Sequence, residues 1–365
     1  QKPGIKSILL HTGQHYSKDM SQYFFDELNI PPADINLGVG SGSHAQQTAE
    51  IMKRVEPVLL REKPDIVLVV GDVNSTMACV IVAAKLGITT VHVEAGLRSF
   101  DRSMPEEINR IITDAISDIL FVTEKSGIEN LKNEGIHDSK VHFVGNVMID
   151  TLLHHKEKAA KLNTCKKLKI SPHRYAVVTL HRPSNVDDPL VFKQIVDALE
   201  QIQKKMTLIF PVHPRTWNNL SLDGQGKRLS SLANIKLIKP LGYLDFLNLT
   251  SKAAMVITDS GGIQEETTIL GIPCLTVRLN TERPVTITDG TNTLVGNSTE
   301  GILKGFRKNL SSPPKNKRPD LWDGKASIRI LNILQKHQLL EARLQDQNQN
   351  MSTPEHDMIS NQSNF

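Results

Sequence analysis

Short, continuous apolar runs alternate with amphipathic segments along most of the 365-residue chain. Runs such as IVLVV (Ile66–Val70) and YAVVTL (Tyr175–Leu180) are rich in β-branched residues and bounded by turn residues, the pattern of strands buried on both faces. The segments between them repeat apolar residues at helical spacing. In the first half this predicts strands at Ile5–Thr12, Asp65–Gly71, Thr89–Val93, Ile119–Thr123 and Lys140–Val144. Helices are predicted near Lys18–Leu28, Ala45–Glu62, Ser75–Leu86, Glu106–Ser117, Lys125–Asn133 and Val147–Lys158. In the second half strands are predicted at Tyr175–Leu180, Thr207–Val212, Ile235–Ile238, Met255–Thr258 and Cys274–Val277. Helices there lie near Asp188–Lys204, Leu244–Ser251, Ile263–Leu270 and Glu300–Lys308. Such alternation specifies an α/β protein with parallel sheets covered by helices, organised as two doubly wound, Rossmann-like domains. The first is expected over 1–155 and the second over 172–325, separated by the polar, Lys-rich stretch His155–Ser171. A closing helix is expected over 326–340, followed by a disordered tail over 341–365, where Gln, Asn and Ser dominate and apolar periodicity is lost.

Composition adds exclusions. A chain that is 39% hydrophobic and 22% charged can bury substantial cores, and a net charge of +4 with scattered basic residues gives no nucleic-acid footprint. Cys79, Cys165 and Cys274 are far apart and show no metal-ligand spacing, which predicts neither a disulfide nor a zinc site and fits a reducing cytoplasm. No apolar run approaches the roughly 18 to 20 residues that span a bilayer. The chain opens on Gln1 and is in a predicted strand by Ile5, so either processing or missing residues are expected at the start.

Ligands of open α/β sheets bind beyond the carboxyl ends of the strands. The most informative stretch of this kind is Ala254–Leu270, AMVITDSGGIQEETTIL: a strand, a turn at Asp259–Gly262, and a helix. Gly261 and Gly262 let backbone N–H groups approach an anion, the helix start adds partial positive charge, and Ser260 offers a hydroxyl, which together make a phosphate cradle. Glu265 and Glu266 behind it either bind sugar hydroxyls or merely favour the helix start. The other strand ends supply acids in the first half, Asp72 and Glu94, and basic groups in the second, His181-Arg182, His213-Pro214-Arg215, and Arg278 to Arg283.

Each has a bland reading. Asp72 can cap the following helix, and Ser103 with Glu106 three residues on matches a capping box, with Pro105 in the first turn. Glu94 closes an apolar strand, where an unpaired carboxylate is costly, and Arg98 or His92 can be its partner. His181 and His213 can be ordinary strand-end histidines, and Arg278 and Arg283 an exposed, solvated pair. The functional reading brings Asp72, Glu94 and Glu106 to one cleft for proton transfer, with Arg98 and His213 among the substrate contacts.

In order along Ile5–Leu340, the chain resembles the non-hydrolysing UDP-N-acetylglucosamine 2-epimerase family. The resemblance is carried by TGQH (Thr12–His15), GD (Gly71-Asp72), HVEAGLR (His92–Arg98), PEEINR (Pro105–Arg110) and VGNVMID (Val144–Asp150). In the second half it is carried by TLHR (Thr179–Arg182), PVHPRT (Pro211–Thr216), TDSGGIQEE (Thr258–Glu266) and TERP (Thr281–Pro284). It implies a glycosyltransferase-B-like fold, two doubly wound domains facing a cleft, and a homodimer. It further implies interconversion of UDP-GlcNAc and UDP-ManNAc through a 2-acetamidoglucal intermediate, with no cofactor and no metal. By motif, Asp72, Glu94, Glu106 and His181 are then the catalytic candidates. Ser260, Gly261, Gly262 and Glu266 would hold diphosphate and ribose, with Arg283 by the ribose and Phe246 by the uracil.

The chain departs from the family pattern in places. It lacks the opening strand and GTRPE-like segment, whose basic residues contact substrate, so an N-terminally incomplete copy without the central strand of the first sheet is expected. Val70-Gly71-Asp72 stands where many members have His-Gly-Asp, and Arg182–Asn185 replaces a commoner version containing Glu. GSGSHAQQ (Gly40–Gln47) lacks the Arg-Gln pair of the bacterial regulatory site and also occurs in hydrolysing relatives. The alternatives are therefore a hydrolysing epimerase that releases ManNAc and UDP, and a non-catalytic UDP-sugar-binding protein.

Overall fold

The structure, a computed structural model, describes residues 5–14, 25, 27–222, 224–314 and 317–337. Most of the helix expected at Lys18–Leu28 and all of the tail expected over 341–365 lie outside those residues.

Twelve strands form among the described residues, every pairing parallel. In the N-terminal domain β1 (Leu10–His11) pairs only with β2 (Ile35–Asn36), while β3 (Ile66–Val70), β4 (Thr89–Ala95), β5 (Ile119–Val122) and β6 (Val141–Phe143) form a separate sheet in chain order. The expected strand Ile5–Thr12 thus shrinks to two residues. An apolar run becomes a strand only where its backbone finds ladder partners, and β2 offers two. The edge of β3 away from β4 has no strand partner among the described residues, and Leu68 and Val70 on it are exposed.

Helices α1 (His44–Glu62) and α2 (Asn74–Lys85) seal one face of both sheets. Ile51, Val55 and Leu59 meet Ala78, Cys79 and Val82, with Leu10 from β1 and Val67 and Val69 from β3 packed against them. Next come α3 (Pro105–Ile116), α4 (Lys125–Asn133) and α5 (Val147–Ala160). The capping box expected at Ser103 does not form: Met104 is the N-cap residue of α3, and the Ser103 hydroxyl donates instead to Asp101 Oδ1 at 2.6 Å. One does form at the start of α1, where Ser43 accepts from the backbone N–H of Gln46 and the Gln46 side chain accepts in return.

The C-terminal sheet holds β7 (Tyr175–Thr179), β8 (Thr207–Pro211), β9 (Ile235–Ile238), β10 (Met255–Thr258), β11 (Cys274–Thr276) and β12 (Asn292–Leu294) in the order β12-β11-β10-β7-β8-β9. The chain reverses direction of travel between β7 and β10, and in doubly wound sheets the crevice opens at that point. Around the sheet lie α6 (Pro189–Ile202), α7 (Tyr243–Ser251), α8 (Gly261–Leu270) and α9 (Thr299–Ser311), with four to nine residues in each shorter helix. Phe192, Ile195 and Leu199 of α6 meet Ile302 and Phe306 of α9 over β7 and β8.

The domains are interlocked. Leu152 and Ala159 of α5 pack on Leu244 and Leu247 of α7. Conversely, the final helix, α10 (326–337), returns to the N-terminal domain, where Ile330 and Leu334 join Val91, Val93 and Phe121. Trp322 just before it is buried, its indole N–H donating to the Thr123 carbonyl at 2.9 Å. All three cysteines are buried and unpaired. No helix among the described residues is long and apolar enough to cross a membrane.

Candidate active site

The N-terminal wall of the cleft is built from the ends of β3 and β4 and the start of α3. Glu94 interrupts β4: the ladder to β5 slips between Val93 and Ala95, and Glu94 takes φ +74°, left-handed backbone that a β-branched or bulky residue rarely adopts. The bulge turns a strand residue out of its alternation. The result is a side chain only 12% exposed whose Oε2 lies 3.7 Å from Arg283 Nη2 of the other domain. Burial pushes the Glu94 carboxyl up to about 7, with Glu265 and Asp72 adding to the effect and Arg283 and His92 opposing it.

Neither residue expected to partner Glu94 does so. His92 donates to Asp114 Oδ1 at 2.6 Å and to the Gly71 carbonyl at 2.9 Å. Arg98, expected among the substrate contacts, is not brought to the cleft. Its guanidinium is buried and spent on Asp114, Glu134 and the Leu97 carbonyl. Asp72 does not cap α2, whose N-cap residue is Val73; it lies 2.5 Å from Arg110 Nη1. Arg110 is itself buried on Glu107, and Glu107 also accepts the N–H groups of Ser99 and Phe100. The structural glutamate of the PEE triplet is therefore Glu107, while Glu106 stays half-buried, its charge acting on Arg182 of the other domain.

The C-terminal wall is the row of strand ends at the β7/β10 switch point. Asp259 is fully buried and accepts the backbone N–H groups of His181 and Arg182 and the amide of Asn185, while its Oδ1 lies 2.9 Å from His181 Nδ1. The His213 ring stands beside that of His181, centroids 5.5 Å apart. Burial, and after it the neighbouring His181, lower the His213 pKa.

Helix α8 begins at Gly261, and the N-cap side chain of Ser260 makes no capping bond, so its hydroxyl is available to a ligand. The two glycines differ. A Cβ on Gly261 would come within 2.6 Å of Arg283 Nη1 and 2.8 Å of Glu282 Oε1, whereas one on Gly262 would meet nothing within 4 Å. Gly261 lets the arginine approach, and Gly262 faces open space, where an anion can reach the N–H groups of the helix start. Glu266 is buried beside Tyr243, and burial pushes its carboxyl up to about 7. Phe246, on α7, is half-buried against the core beneath.

Arg278 and Arg283 are not a solvated pair: both are buried. Arg283 donates to Glu265 Oε1 and Glu282 Oε1, each at 2.5 Å. Glu282 also lies 2.7 Å from Arg278 and 3.5 Å from Arg182. Burial works against its ionisation, but Arg283, Arg278 and Arg182 outweigh it and hold the carboxyl well below the usual range. Arg278 Nη1 is buried without a hydrogen-bond acceptor. A continuous polar chain thus crosses the cleft, Glu94 to Arg283, Glu282 and Arg182, whose Nε donates to the Asp259 carbonyl at 3.0 Å, and so to His181.

Sequence reasoning missed Asp259, Glu282 and Glu124. Asp259 reads as turn chemistry, and Glu282 as one charge in TERP. Glu124 has no motif; it is 2% exposed, and burial pushes it up to about 7. No group of three or more His, Cys, Asp or Glu among the described residues is arranged to hold a metal ion. A cavity of about 570 Å³ lies at the opposite end of the C-terminal sheet, between Lys169, Arg174, Tyr175, Lys205 and Lys236, and shares no residue with the cleft.

A cleft with carboxylates on one wall and arginines and a glycine-opened helix start on the other suits an anionic, phosphate-bearing ligand that exchanges a proton. Comparison with known proteins is in keeping with that geometry. The family profile described as UDP-N-acetylglucosamine 2-epimerase matches residues 1–335. The chain is similar to the UDP-N-acetylglucosamine 2-epimerase of Methanococcus maripaludis, 46% identical over 334 residues, 90% of this chain and 91% of that one. It is similar too to the UDP-2,3-diacetamido-2,3-dideoxy-D-glucuronate 2-epimerase of Pseudomonas aeruginosa, 41% identical over 91% of this chain and 92% of the relative. Among solved structures, the UDP-GlcNAc 2-epimerase of Methanocaldococcus jannaschii in complex with UDP-GlcNAc and UDP superposes with a TM-score of 0.83 at 43% identity, covering 90% of this chain and 92% of that one.

Proposed function

Because this chain belongs to the UDP-N-acetylglucosamine 2-epimerase family, we propose that it interconverts UDP-GlcNAc and UDP-ManNAc without hydrolysis, by elimination and re-addition of UDP. The observation that carries this reading is the placement of Glu94. A carboxyl that titrates near neutrality is lifted out of a strand and held across the cleft from Arg283 and the start of α8.

On this reading the diphosphate lies over Gly261 and Gly262, with the Ser260 hydroxyl and the buried arginines around it. The sugar extends toward Asp72, Glu94 and Glu106. A carboxylate takes the proton on carbon 2 while the bond from carbon 1 to the diphosphate oxygen breaks; its electron pair leaves with UDP and a carbon 1–carbon 2 double bond remains. UDP then adds back to carbon 1, and a proton is delivered to the opposite face of carbon 2. The carbon-bound proton is a weak acid, so a base poised near neutrality helps, and the departing charge is met by fixed donors. Glu94 fits the first need, and the helix start with Arg182, Arg278 and Arg283 fits the second. His181, with Nε2 toward the cleft, completes the acid/base set. Family membership also supports a homodimer and a cytoplasmic location.

Incubation with UDP-GlcNAc in heavy water, followed by NMR, tests the reading. Deuterium at carbon 2 with formation of UDP-ManNAc supports it. Free ManNAc indicates hydrolysis, and unchanged sugar with measurable binding indicates a binding protein.

A further inference from the structure

We propose that Asp259 is a positioning residue for His181: its carboxylate accepts a hydrogen bond from the Nδ1–H of the imidazole and so fixes the ring with Nε2 presented to the cleft. This rests on His181 belonging to the acid/base set. The two residues occupy adjacent strand ends at the switch point of the C-terminal sheet, Asp259 after β10 and His181 after β7, whose residues Thr258 and Thr179 stand in register. The crevice between these strands is where a doubly wound fold places a ligand.

The carboxylate can do this because every other demand on it is met by donors. It is 0% exposed and receives the His181 N–H at 3.0 and 3.1 Å, the Arg182 N–H at 3.0 Å and the Asn185 amide at 3.2 Å. Burial alone would raise its pKa, but His181 and the backbone N–H groups of Arg182 and His181 outweigh burial and lower it. An ionised carboxylate only accepts, so the ring nitrogen 2.9 Å away must carry the hydrogen. The tautomer is then set: Nδ1 protonated, Nε2 the nitrogen that accepts from or returns a proton to a ligand. The His181 side chain is 40% exposed, so that nitrogen is reachable. The same carboxylate grips both the backbone and the ring of His181, which leaves the imidazole little freedom to turn away.

A purely structural Asp259 would hold the loop without influencing the ring. The two roles separate in the full-length protein. In Asp259→Asn the amide places an N–H donor among donors, so the ring loses its preferred tautomer. We expect kcat for carbon-2 exchange to fall by about 10² or more, with KM for UDP-GlcNAc and the calorimetric Kd for UDP within about threefold of wild type. Added to His181→Ala, the same change should cost no more than about threefold further, because it acts through a ring already gone. Losses that multiply, or an Asp259→Asn enzyme with wild-type kcat beside a deficient His181→Ala, would overturn the positioning role alone. Wild-type exchange in His181→Ala itself would instead remove the acid/base reading of His181, and this inference with it. Should the variant not fold, ¹⁵N NMR of the wild-type imidazole decides: Nδ1–H is expected, and an Nε2–H tautomer contradicts the proposal.

Discussion

Glu94 Oε2 and Arg283 Nη2 stand 3.7 Å apart, one from a bulge in β4 and the other from the loop after β11, so the two domains meet at a carboxylate and a guanidinium. Arg283 lowers the Glu94 pKa while burial and Glu265 raise it, and the balance leaves the carboxyl at about 7. Withdrawal of the guanidinium therefore moves the group upward. In Arg283→Gln the pH dependence of kcat/KM should shift its acid limb to higher pH, and a limb that stays in place would show that Arg283 does not set this carboxyl.

Glu124 offers a stability test at a buried carboxyl that no step of the proposed chemistry uses. Its carboxyl is raised to about 7 by burial, so the folded protein holds the proton more tightly than the unfolded chain, whose value is 4.5. Between these values the folded state binds more protons, and stability falls as pH rises from 4.5 to 7 and stays lower above. Glu124→Gln removes the titration: we expect it to be about 1–3 kcal/mol more stable than wild type at pH 8 and to show little gain near pH 4.5, by denaturant unfolding at both values. An equal change at the two pH values would contradict this.

The glycines of the cradle should behave differently. Gly261→Ala drives a methyl group into Arg283 and Glu282, and a loss of UDP affinity of about tenfold or more is expected together with a lower thermal midpoint. Gly262→Ala meets nothing in the protein, so its thermal midpoint should match wild type without ligand; any loss of UDP affinity then reports the ligand itself. Equal destabilisation by both would argue against the assigned roles.

Much of this was legible in the sequence. Strands β7 and β10 are apolar, β-branched runs because helices cover both faces of that sheet, and the residues after them could be picked out by position alone. What escaped depends on contacts distant in sequence. Ile5–Leu9 carries a strand's residues but finds no ladder. Asp101 captures the hydroxyl that a capping box at Ser103 needs. Which of Glu106 and Glu107 is buried in a structural ion pair is decided by Arg110. The φ of Glu94 and the three arginines around Glu282 leave no pattern along the chain.

Arg98 illustrates the same limit, since HVEAGLR marks it by motif while the fold buries it between Asp114 and Glu134. Arg98→Ala should leave the buried Asp114 with only His92 and the Gly96 N–H and take the guanidinium from Glu134, at a cost of up to about 3 kcal/mol, with UDP affinity of the folded protein unchanged. A variant as stable as wild type that binds UDP poorly would restore it to the cleft.

The most direct measurement is deuterium incorporation at carbon 2 of UDP-GlcNAc by wild type and by Glu94→Gln at matched UDP occupancy. Incorporation with UDP-ManNAc formed is expected of the wild-type protein, and at least about a 10²-fold slower exchange of a Glu94→Gln variant that still binds UDP. Exchange at the wild-type rate in Glu94→Gln would contradict this.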